Sequence, residues 1–160
     1  MKLQKNLYNI DNINNDKEDP LKGFGVDLTL LAKNNELEEH YGREKELTTL
    51  MEILVRYYKN NPLLIGEPGI GKTAIVELFA QKIIKNLVPF ALEEKILISL
   101  NIYKVMAGAK FRTYLETRLD KLTNEFIKNK KIRGVSEDMH IISGGENAVS
   151  EIGHLLKPML

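Results

Sequence analysis

The chain has 160 residues, 43% of them apolar and 28% charged, with a formal net charge of +1. That length suits one domain with a sizeable core, and the near-neutral charge gives no electrostatic case for nucleic acid or an anionic membrane as partner. The absence of cysteine excludes disulfides and thiolate metal sites, three scattered histidines offer no dedicated metal centre, and no apolar run approaches the ~20 residues that span a bilayer.

Residues 1–22 are Asn-rich and read as a solvated, weakly ordered tail. They lack the continuous apolar core of a secretory signal. Asp11, Asp16, Glu18 and Asp19 argue against an acid-poor organelle transit peptide. Abundant Asn, Ile and Lys point to AT-rich coding DNA, as in a reduced organelle genome.

The stretch "GFGVDLTLLAKNNELEEHYGR" carries a short helical pattern through Leu28, Leu31 and Ala32. From Arg43 to about Asn60, Leu47, Leu50, Met51, Leu54, Tyr57 and Tyr58 recur at three- and four-residue spacing, which predicts an amphipathic helix. Pro62 stops it. "LLIG", bounded by Pro62 and Gly66, suits a buried parallel strand.

A second helix is expected from Thr73 to about Asn86, and a second buried strand over Lys95–Leu100. A third long helix follows over Phe111–Asn129, with Leu115, Leu119, Leu122 and Phe126 as its stripe. The strand–helix–strand–helix order predicts an α/β fold, a parallel sheet with flanking crossover helices. A third strand should follow, but in "KKIRGVSEDMH" Arg133, Gly134 and Ser136 interrupt the apolar pattern. Arg133 and Ser136 would enter buried sheet positions without obvious partners.

The chemistry concentrates in "GEPGIGKT", residues 66 to 73. Gly66, Gly71, Lys72 and Thr73 satisfy G-x-x-x-x-G-K-[ST], between a predicted strand and a predicted helix. The glycines let backbone N–H groups turn inward around a β-phosphate, and the helix N-terminus adds unpaired donors and a favourable dipole. The loop residues Glu67, Pro68, Gly69 and Ile70 complete the cradle. Lys72 supplies a point charge for the β- and γ-phosphates, and the Thr73 hydroxyl is placed to ligate Mg²⁺. ATP or ADP with Mg²⁺ is therefore the expected ligand.

From Gly23 onward the sequence closely resembles the first AAA+ module of the Clp unfoldase/disaggregase family, ClpB and the plastid-type ClpC. "FGVDLTLLA", "YGREKEL", "KNNPLLIGEPGIGKTAIVE", "ISL", "AGAKFR" and the terminal "LLKPML" carry the resemblance. It implies a P-loop NTPase fold of AAA+ type over 23–160, incomplete at its C-terminal side. By the same resemblance His40 and Tyr41 fall where the family's backbone holds adenine, although Tyr41 equally fits core packing. Lys110, Phe111 and Arg112 fall on the family's first pore loop, which grips an unfolded polypeptide. Phe111, four residues before Leu115, also fits as the first core residue of its helix.

The resemblance breaks at the family's Walker B acids, Asp then Glu. Here "GVSEDMH" puts Glu137 in the Mg²⁺-orienting place, acting through water, and Asp138 in the water-polarising place, so the acids are exchanged. An error of ~1 Å in such positioning costs ~100-fold in rate. "SED" reads equally well as a solvated loop, and His140 and His154 read as structural.

The family's sensor strand, arginine fingers and helical lid have no counterpart in these residues. The expectation is the ATP-binding part of a hexameric, ATP-driven protein unfoldase, with hydrolysis weak or absent in this chain alone. Its implied partners are other Clp subunits, unfolded polypeptide and a ClpP-type protease, in a plastid or alternatively the cytoplasm. A non-catalytic, nucleotide-responsive subunit and a decayed fragment are the alternatives.

Overall fold

A computed structural model describes residues 23–107 and 112–136. Its elements run β1 (Gly25–Asp27), α1 (Leu28–Lys33), α2 (Glu44–Leu54), α3 (Lys72–Ile84) and a 3₁₀ turn at Phe90–Leu92. They continue as β2 (Ile96–Leu100), α4 (Ile102–Met106), α5 (Arg112–Lys128) and β3 (Ile132–Ser136).

The sheet is ordered β1-β2-β3. Strands β2 and β3 pair in parallel from Ile96 opposite Ile132 to Leu100 opposite Ser136, with α4 and α5 as the crossover. The sheet is mixed rather than wholly parallel, because β1 adds antiparallel to the other edge of β2, Gly25 opposite Leu100. Asp27 ends that strand and caps the next helix, its carboxylate accepting from Leu30 N at 2.8 Å.

Adjacent side chains of β2 enter different cores, as period-two alternation requires of a strand covered on both faces. Leu97 joins Leu28, Leu47, Leu50, Val76 and Phe79, which come from α1, α2 and α3. Ile98 joins Ile102, Val105, Leu119, Leu122 and Ile132, from α4, α5 and β3. The nucleotide-type loop thus precedes a helix packed on one face of the sheet, while the long crossover occupies the other.

Two further expectations change. The helix predicted to run to Asn60 stops at Leu54, since Tyr57 and Tyr58 face solvent at 88% and 78% exposure and have no core to enter. The predicted strand at 63–65 does not form among the described residues. Leu63 and Ile65 are 65% and 86% exposed, and only Leu64 packs against the core. A strand exists only with a ladder partner, and this segment takes none among the described residues.

The broken pattern at 132–136 nevertheless forms β3. Gly134 is accommodated because a Cβ there would lie 3.0 Å from the Phe126 ring. The expected polar misfit is present: Arg133 Nε and Ser136 Oγ are sealed from solvent with no hydrogen-bond partner. Burial first, and the Arg133 charge second, push the Lys95 ammonium below its ordinary pKa. Ser136→Val should therefore raise the urea midpoint, corresponding to about 1 kcal/mol more unfolding free energy, because it removes an unsatisfied buried hydroxyl from a parallel strand. A lowered midpoint would show that the hydroxyl is satisfied in solution.

Candidate functional site

The phosphate-type loop is built from backbone. Gly71, at φ +97°, turns the chain into α3 in a left-handed conformation that side chains rarely adopt, and Gly69 is similarly turned at φ +79°. The loop closes around Lys72, whose ammonium donates to Gly66 O at 3.0 Å and Glu67 O at 2.9 Å. The Ile70 amide donates to Glu67 O at 3.3 Å, tightening the turn over Glu67, Pro68 and Gly69. Helix α3 begins at Lys72, so the positive end of its dipole lies at the loop.

A cavity of about 390 Å³ opens beside this loop. It is lined by Gly69 and Gly71 of the loop, by Lys72, Thr73, Ala74 and Glu77 of α3, and by Glu38 and His40. The lining thus combines N–H donors and a cation, of the kind that suits phosphate, with carboxylates and an imidazole. Thr73 lies one helical turn before Glu77.

The segment 38–43 is tied to the loop and to α3 at three points. Gln81 Nε2 donates to Glu38 O at 2.8 Å. His40 Nε2 lies 2.5 Å from Glu77 Oε2, both side chains about one-fifth exposed. Arg43 Nη2 donates to Ile70 O at 2.7 Å, and its Nη1 to Glu46 Oε1 at 3.0 Å. A bond from its own backbone amide, then the Arg43 guanidinium, hold the Glu46 carboxyl below the usual carboxylate range.

Of the two residues assigned to adenine, His40 lines the cavity. The Tyr41 side chain is 80% exposed, outside the core, and donates to Glu39. That bond and the Glu39 charge raise the Tyr41 pKa.

Lys110, Phe111, Glu137 and Asp138 lie outside the described residues; Arg112 opens α5 through its backbone. Among the described residues no three acidic or histidine side chains converge on a metal-sized site. The oxygen donors among the lining side chains are the Thr73 hydroxyl and the Glu38 and Glu77 carboxylates, few enough to suit an ion that keeps several waters. Sequence reasoning missed Glu77 and Gln81, although Thr73, Glu77 and Gln81 recur every four residues along one face of α3. It also passed over Arg43 as a functional side chain.

No family model matches the chain. It is similar to the ATP-binding subunit ClpC of the ATP-dependent Clp protease from Staphylococcus epidermidis, 42% identical over 142 residues, 88% of this chain and 17% of that protein. It is similar also to the chaperone protein ClpB of Helicobacter hepaticus, 41% identical over 91% of this chain and 17% of the relative. The ClpB of Wolinella succinogenes is 38% identical over 99% of this chain and 20% of the relative.

Among solved structures, the closed state of Hsp104 with ATPγS and FITC casein superposes with a TM-score of 0.77 at 36% identity, over 88% of this chain and 24% of that one. The Saccharomyces cerevisiae Hsp104–ADP complex gives 0.73 at 35% identity, over 86% and 24%. The chain spans about a fifth of the curated relatives it matches.

Proposed function

We propose that this chain, which belongs to the Clp/Hsp100 family of AAA+ proteins and matches part of one module, is the nucleotide-binding portion of an ATP-driven protein unfoldase. The observation that carries the reading is the loop of residues 66–71 closed around the Lys72 ammonium at the start of α3, with the cavity beside it. Phosphates would take the loop amides and the Lys72 ammonium, Mg²⁺ the Thr73 hydroxyl, and the nucleoside the part lined by Glu38, His40 and Glu77. Similarity to Hsp104 structures bearing ADP or ATPγS supports the nucleotide.

Hydrolysis by this chain alone is weak or absent in this reading. Glu137 is a methylene longer, and Asp138 a methylene shorter, than the acids whose places they take. Positioning carries most of phosphoryl-transfer catalysis. The intact assembly would be a hexamer of Clp-type subunits gripping unfolded polypeptide through Lys110, Phe111 and Arg112, an inference supported by the casein-bound neighbour. A ClpP-type protease as partner and a plastid location complete the proposal. The exchanged acids also favour a second reading, a nucleotide-responsive subunit that leaves turnover to other chains.

Calorimetric titration with ATP and ADP in the presence of Mg²⁺, together with steady-state ATPase, tests the proposal. Saturable binding with negligible turnover is expected. No binding overturns it, and turnover comparable to a complete Clp module overturns the reading of the exchanged acids.

A further inference from the structure

We propose that Arg43 is a positioning residue for the phosphate loop, holding the Ile70–Gly71 peptide so that the Gly71 N–H is presented to a bound phosphate. The inference rests on the nucleotide-binding reading of residues 66–73 and adds to it a side chain from a different element.

The geometry is that of a clamp behind the loop. Arg43 Nη2 donates to the Ile70 carbonyl at 2.7 Å, while Gly71 lines the cavity and Arg43 does not. A trans peptide is planar, so its carbonyl and N–H point in opposite directions. With the Ile70 carbonyl held outward against Arg43, the Gly71 N–H is directed to the cavity side. The guanidinium also occupies the space behind Gly71, its nitrogens 3.7 and 3.9 Å from where a Cβ would stand. It therefore backs the one residue whose left-handed conformation carries the chain from loop to helix.

Its place in the sequence agrees with that task. Arg43 occupies the cap position of α2, usually held by Ser, Thr, Asp or Asn, and its side chain makes no capping bond there. The side chain reaches across to the loop instead. The second arm of the guanidinium rests on Glu46, one turn into α2, so the fork is fixed at both ends. A charged donor on the Ile70 carbonyl also polarises the peptide, which makes the Gly71 N–H a stronger donor.

The test is Mg-ADP affinity, measured by calorimetry on the full chain and on its Arg43→Ala, Arg43→Lys and Lys72→Ala variants. The ¹⁵N–¹H resonance of Gly71 is followed in the same proteins. Arg43→Ala should lose about 10-fold or more in affinity and shift the Gly71 amide, the scale of one charge-assisted hydrogen bond. Arg43→Lys should recover most of the affinity, because an ammonium still donates to the Ile70 carbonyl although it cannot fork to Glu46.

Should Arg43→Ala fail to fold, the lysine variant carries the comparison through its intermediate affinity and smaller Gly71 shift. Loss of binding in Lys72→Ala with Arg43→Ala within about twofold of the unaltered chain leaves nucleotide binding standing and removes the role of Arg43. A lysine variant as weak as the alanine variant, with the Gly71 resonance unmoved, also overturns it. An unaltered chain that binds no Mg-ADP overturns both readings together.

Discussion

Lys72→Ala is expected to lower affinity for Mg-ATP by about 100-fold, because it removes two charge-assisted interactions of ~1.5 kcal/mol each, and every 1.4 kcal/mol is tenfold. The lysine acts twice. Its ammonium pins Gly66 O and Glu67 O, closing the loop from within. It is also the cation that lines the cavity. Alanine deletes the charge and opens the turn together, so Lys72→Arg should not restore binding: a planar fork does not fit a loop closed around a point charge. Titration calorimetry measures the loss. Affinity within about threefold of the unaltered chain would mean that the loop amides alone hold the phosphates, a contribution of the size of one weak hydrogen bond.

Phe79→Ala should cost about 3–5 kcal/mol of unfolding free energy, enough to leave little of the native state in a domain this small. Phe79 is 2% exposed on α3, in the cluster that joins α1, α2 and Leu97 of β2. Its loss would leave a cavity under the helix that carries the phosphate loop. Tyr57→Ala, at a residue 88% exposed beyond the end of α2, should by contrast change stability by no more than about 0.5 kcal/mol. Urea unfolding of the two variants makes the comparison. A small effect at Phe79 would show that the first core does not close as described.

What the sequence made legible and what it hid divide along a physical line. Helices α3 and α5 were readable to within two residues, because their apolar spacing records the core they enter. Strand β2 was readable because Leu97 and Ile98 serve two cores and leave a continuous apolar run. The phosphate loop was readable because its residues are consecutive.

Strand β1 was not: three residues carry no measurable period, and its existence depends on a partner far along the chain. The end of α2 was misjudged for the opposite reason, since Tyr57 and Tyr58 continue the period with nothing to pack against. In the site, the ties made by Arg43, Glu77 and Gln81 join positions 27 to 43 residues apart. No local pattern encodes such a meeting.

The pairing of Gly25 with Leu100 has a consequence in time. The phosphate loop and α3 lie inside the stretch of chain that this pairing closes, and β2 is the last part of that stretch to be synthesised. Bringing two such distant segments together costs chain entropy that is recovered only when the sheet forms. A growing chain therefore carries its whole phosphate loop before the strand that closes the stretch around it exists. The core under α3 is complete only once Leu97 of β2 has joined it, whereas the loop motif is present earlier.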